Sequence, residues 1–99
     1  MLLRSLALAL AALLLAALPA SAATTTIGMG ENYFSPGVRS VVKGTRVVWV
    51  NRGNRYHTVT TRYWSVRLKP GERYSRRVHR GFRYVCAYHG AMVGRITLR

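Results

Sequence analysis

Carboxylates are almost missing from this 99-residue chain: Glu31 and Glu72 are its only acidic side chains, and Cys86 is its only cysteine. Two carboxylates leave little for chemistry that needs an acid and base pair, or an acid that orients a catalytic histidine. One cysteine excludes an internal disulfide, so a small domain must find its staple elsewhere. A lone thiol in an oxidising compartment is also a liability unless a metal or a second chain engages it. Beyond residue 22 no segment keeps a helical period of apolar residues, which argues against a helical or doubly wound fold.

What is present begins with a basic start, Met1-Leu2-Leu3-Arg4, an apolar stretch from Leu6 to Leu18, and the small residues Pro19-Ala20-Ser21-Ala22-Ala23. That order reads as a signal peptide cleaved after Ala22 or Ala23; it is too short for a membrane span, which takes about 20 apolar residues. The expected organisation is a signal peptide over 1–22 and one exported domain over 23–99, periplasmic or extracellular, monomeric and without a transmembrane segment. A domain of that size buries a small core and gains from a metal. Sixteen Lys and Arg against two acids give a net charge of +14. Such a surface speeds salt-sensitive encounter with acidic proteins, polyanions or membrane surfaces. An arginine-rich background explains the same charge equally well.

Short β-branched and aromatic runs alternate with glycine-containing turns, which predicts an all-β domain, a small Greek-key β-sandwich. Strands are expected over Thr24–Met29, Val38–Val42, Thr45–Asn51, His57–Thr61, Arg73–Val78, Gly81–Cys86 and Val93–Leu98. Alternation places Tyr84 and Cys86 on one face, and likewise Ile96 and Leu98, with Arg95, Thr97 and Arg99 toward solvent. Val47 and Trp49 are expected inside, although Val47-Val48-Trp49-Val50 is apolar on both faces and hides the register. Met29, Trp49, Tyr74 and Tyr84 read as packing residues, His79 as a solvated one, and Trp64 and Tyr88 as exposed.

The chemistry is concentrated in Tyr84-Val85-Cys86-Ala87-Tyr88-His89-Gly90-Ala91-Met92, a Cys-x-x-His-x-x-Met spacing. Thiolate and imidazole bind copper firmly in a trigonal arrangement, and a thioether suits a long axial position; zinc has no use for the methionine. A second imidazole is needed, and His57, at the start of a distant strand, is the best placed. Clamping two remote stretches to one ion also supplies folding stability. A Cys–His nucleophile is the main catalytic rival, but Cys86 and His89 have no orienting acid in this loop, and the metal reading also accounts for Met92 and His57.

These motifs, with Phe34-Ser35-Pro36, Gly44-Thr45-Arg46-Val47-Val48-Trp49-Val50-Asn51, His57-Thr58-Val59 and Leu68-Lys69-Pro70-Gly71-Glu72, resemble the plastocyanin and amicyanin branch of the cupredoxins, the type 1 blue copper proteins. The resemblance covers nearly all of 23–99, and the short ligand loop is similar to that of amicyanin. It implies His57, Cys86 and His89 as equatorial copper ligands, Met92 as the axial one, and a hydrogen bond from the Thr58 N–H to the thiolate. The implied function is one-electron transport between redox partners, with no enzymatic activity. The expected partner is an acidic redox protein or a membrane-associated electron donor or acceptor, not a specific nucleic acid. Storage or delivery of copper in the cell envelope is the alternative. Three features depart from the family: the segment from His57 to Leu68 is short, Thr58 stands where Asn is frequent, and the charge is strongly positive.

Overall fold

The computed structural model describes residues 23–99; the expected signal peptide lies outside the described residues. Nine strands follow one another: β1 (Thr24–Met29), β2 (Phe34–Ser35), β3 (Val38–Val41), β4 (Arg46–Asn51), β5 (His57–Thr60), β6 (Ser65–Leu68), β7 (Arg73–Arg77), β8 (Phe82–Cys86) and β9 (His89–Leu98). They form two sheets, ordered β2-β1-β4-β7 and β3-β9-β8-β5-β6. The parallel pairs β1/β4 and β3/β9 require crossovers between sheets, which gives the expected Greek-key sandwich.

The all-apolar run in β4 makes sense in this order. β4 lies between β1 and β7, with Val47 and Trp49 fully buried toward the opposite sheet and Val50 also covered. Its neighbour β7 is an edge strand of Arg73-Tyr74-Ser75-Arg76-Arg77, charged as edges tend to be to discourage further pairing. Two turns depend on glycine. Gly71 (φ 86°) follows Pro70, and the Glu72 N–H donates to the Lys69 carbonyl at 3.0 Å, a type II turn. Gly44 (φ 92°) does the same between Val42 and Thr45.

Trp49 centres the core, with Tyr84 edge-on at 5.6 Å between ring centroids and Phe34 edge-on to Tyr84 at 4.7 Å. Tyr84 faces Gly94 across β8/β9, and a Cβ at 94 would run into the Tyr84 ring. That close approach is why a glycine sits in a core-facing strand position.

The structure differs from expectation at three strands. β2 and β6 were not anticipated, because two- and four-residue strands carry too short a pattern to read. β9 starts at His89 rather than Val93, so the supposed ligand loop is largely a hairpin. Leu98 is 40% exposed while Ile96 is buried, since the sandwich ends there and nothing covers the last turn of the alternation. Trp64, expected at the surface, is half-buried against the core.

Candidate metal centre

Strand direction assembles the centre. β5 runs antiparallel to β8, so the first residue of β5, His57, lies at the same end of the sheet as the last residue of β8, Cys86. Ala87 and Tyr88 form a two-residue turn, and His89 opens β9 directly opposite Cys86. The Cys-x-x-His spacing is therefore a tight hairpin whose flanking side chains are cross-strand partners. A register shift between Val85 and Cys86 re-aims the end of β8, a common device beside functional sites.

His57, Cys86 and His89 bring their donor atoms within 4.8 Å of one another, the one such group of three among the described residues. The His57 Nδ1 lies 3.8 Å from the Cys86 Sγ, and the two imidazole centroids are 5.2 Å apart. Cys86 is 1% exposed and unpaired, His57 is fully buried, and His89 is half-buried. Met92 is fully buried on the interior face of β9, in the same core cluster as Cys86. Burial, foremost, and then the neighbouring His89 hold the His57 imidazole below its ordinary value; Glu31 pulls the other way. A buried imidazole whose Nδ1 lies beside a buried thiol suits a borderline or soft transition metal. The residues present fit such an ion.

Outer contacts brace the donors. The Thr58 N–H donates to Cys86 Sγ at 3.4 Å, as the sequence resemblance implied. The Thr58 hydroxyl accepts from the Ala87 N–H at 2.7 Å and shares a hydrogen bond with Thr60 Oγ1 at 2.8 Å. A threonine thus ties the two ligand segments together where the family frequently has asparagine.

Two residues went unnoticed in the sequence. Asn51 is buried, and its Nδ2 donates to the carbonyls of Arg55 (2.8 Å) and Leu68 (2.9 Å) while its Oδ1 accepts from the Gly53 N–H (2.9 Å). It shapes the segment that delivers His57; its signal was an asparagine ending an apolar strand just before a turn. Glu31 accepts from the Asn54 N–H and places Oε2 3.7 Å from His57 Nε2. That nitrogen is buried and makes no hydrogen bond. One of the chain's two carboxylates thus meets a histidine. Gly53 allows it: a Cβ there would stand 2.8 Å from Glu31 Oε1 and 3.1 Å from His57 Nε2. His79 is exposed, as expected.

No family model matches the chain, and no curated protein matches it in sequence. Solved structures do match. A purple cupredoxin from Nitrosopumilus maritimus superposes with a TM-score of 0.65 at 20% identity, over 76% of this chain and 99% of that one. Amicyanin from Paracoccus versutus gives 0.67 at 19%, over 85% and 87%. The chain has the cupredoxin fold. A copper-containing nitrite reductase from Thermus scotoductus also matches, with a TM-score of 0.67 at 24% identity over 77% of this chain, but the chain spans only 22% of that protein. Within the cupredoxin fold seen here, the metal-competent group sits at one end of the sandwich, where β5, β8 and β9 meet.

Proposed function

We propose that this chain is a type 1 copper protein that carries single electrons between redox partners. The observation that carries the reading is the His57–Cys86–His89 donor group, two of its members buried, whose thiol already accepts a backbone hydrogen bond. Copper bound there supplies one-electron exchange between Cu(I) and Cu(II). His57, Cys86 and His89, with Met92 from the same end of β9, would hold it. The donors sit on hydrogen-bonded strands and beside a braced turn, so the site needs little rearrangement when its charge changes. The Thr58 N–H stabilises the thiolate. The half-buried His89, with Gly90 and Ala91 exposed beside it, is the electron port.

Residues 1–22 act as a signal peptide and the domain works as a monomer in the periplasm or outside the cell. Its charge favours an acidic redox protein or a membrane-associated donor or acceptor. In this reading the domain is a carrier and catalyses nothing alone.

The test is addition of Cu(II) to the purified protein. Intense blue thiolate-to-copper absorption is expected, lost in Cys86→Ser, and shifted with copper retained in Met92→Gln. Reversible cycling without release of the ion marks a carrier; release to a chelator or acceptor protein on reduction marks a delivery role and refutes electron transport. An equally blue Cys86→Ser protein refutes the site.

A further inference from the structure

The shortened segment between His57 and Leu68 has a consequence on the side of the sandwich away from the donor group. β5 ends at Thr60, and β5 meets β8 in register only at Thr60↔Val85 among the described residues. The chain then turns away at once: the Thr61 N–H donates to the Trp64 carbonyl at 2.8 Å, and Thr61 Oγ1 accepts from the N–H groups of Tyr63 and Trp64 at 3.2 and 3.1 Å. Continuing β5 would have paired residues 61–63 with Tyr84, Arg83 and Phe82. Instead Phe82–Tyr84 has a ladder partner on its β9 side alone.

The space left is a groove of about 1050 Å³ bounded by the 60–64 turn and residues 76–85. Its wall is aromatic on the interior side, where Trp64 and Phe82 pack 5.8 Å apart between centroids. Elsewhere its lining includes Arg62, Arg76, Arg80 and Arg83, all exposed, and neither of the chain's two carboxylates. Arg76 is already placed, its guanidinium carbon 4.4 Å from the Trp64 ring centroid and its Nη1 donating to the Tyr74 hydroxyl at 2.8 Å.

We propose that this groove binds an extended acidic segment of a partner protein, which adds as a strand to the open edge of β8 at Phe82–Tyr84. A strand edge presents both N–H and C=O groups, and a peptide backbone answers both, whereas a polyphosphate or nucleic-acid backbone offers acceptors and leaves the carbonyls unmet. Alternation along an added strand turns every second side chain inward toward Trp64 and Phe82 and the others outward beside Arg62 and Arg83. The fitting sequence alternates apolar and acidic residues. Phe82 opens β8 and Cys86 closes it, so the Phe82 end of the groove lies roughly 13 Å from the thiol at the usual strand rise, while its near end reaches Val85 beside the cysteine. A partner held there leaves the His89 edge free, and binding does not depend on the metal.

The experiment uses the protein as purified after export from an expressing host, titrated with an end-capped peptide of alternating Glu and Val. Binding is expected with and without copper, weakened on the order of tenfold by the exposed double substitution Arg62→Glu and Arg83→Glu at low salt. Amide resonances of Phe82, Arg83 and Tyr84 should shift, and those among them whose N–H points away from β9 should gain protection from hydrogen exchange. A peptide with Lys for Glu, and one N-methylated at alternate amides, should both bind weakly. If the N-methylated peptide or inorganic polyphosphate binds as well as the Glu–Val peptide, the groove is a charge patch and strand addition is refuted. Shifts confined to Gly90 and Ala91 would place the partner at the donor end and refute the groove. None of these readouts depends on copper, so failure here leaves the electron-carrier reading standing.

Discussion

Replacing Thr58 with Val keeps the shape of a buried side chain and removes one oxygen. That oxygen accepts from the Ala87 N–H at 2.7 Å and shares a proton with Thr60 Oγ1 at 2.8 Å. The two losses are unequal. Thr60 also bonds to exposed Ser65 at 2.7 Å and sits near solvent, so it recovers most of what it loses. The Ala87 amide lies in the tight turn between two buried donors and is left without its acceptor, which costs about 1–3 kcal/mol. For a domain of this size about 2 kcal/mol corresponds to a melting shift of roughly 8–16 °C, measured on metal-free protein. Copper affinity should fall about 10–100-fold, because the turn that joins Cys86 to His89 loses its tie to β5. The bond from the Thr58 N–H to the thiol survives, so the blue colour should persist. Thr58→Ser should restore both stability and affinity. Unchanged melting together with unchanged affinity in Thr58→Val would refute the bracing role.

Gly94→Ala forces a Cβ into the Tyr84 ring, which Phe34 and Trp49 hold in place, and should destabilise by about 1–3 kcal/mol or more in chemical denaturation; a neutral result would mean the ring can move. Burial pushes the Tyr84 phenol up to about 12, so native stability is full below the ordinary phenol value of about 10 and is lost as pH rises through the native value. Tyr84→Phe should remove roughly 2–3 kcal/mol of that alkaline loss and, since the hydroxyl is buried without a partner, cost little at neutral pH; an unaltered alkaline profile refutes this. His57 titrates below its ordinary value, so its contribution in metal-free protein is present above about pH 6.5 and is lost as the pH falls through the lowered native value. His57→Gln should flatten that acid limb in a pH series of denaturation curves, and an equally steep limb would show that another group is responsible.

Much of the fold was legible because its strands advertise themselves. β1, β4 and β8 carry runs of β-branched or aromatic residues, β7 lies between glycine-containing turns, and each is found within a residue or so of its expected span. The burial of Tyr84 and Cys86 followed from alternation, whereas the two-sided apolar run Val47–Val50 left its register open until β4 took its place between β1 and β7. β2 and β6 were hidden because strands of two and four residues exist through their neighbours rather than through any pattern of their own. Trp64 was misread for a related reason: its cover comes from Tyr74 and Phe82, which belong to other strands.

Sequence alone determined the all-β class, the lone thiol and a Cys-x-x-His-x-x-Met spacing of candidate donors. Tertiary structure decided what spacing cannot encode: that the start of β5 lies beside the end of β8, so that His57 faces Cys86 from far along the chain. It also set Glu31 against that histidine, made Asn51 the brace of the segment before it, and opened an arginine-lined groove where a hairpin stops short. Local pattern fixes which way a strand faces, while contacts between distant strands depend on which edges pair, and that is settled only when the two sheets close on a shared core.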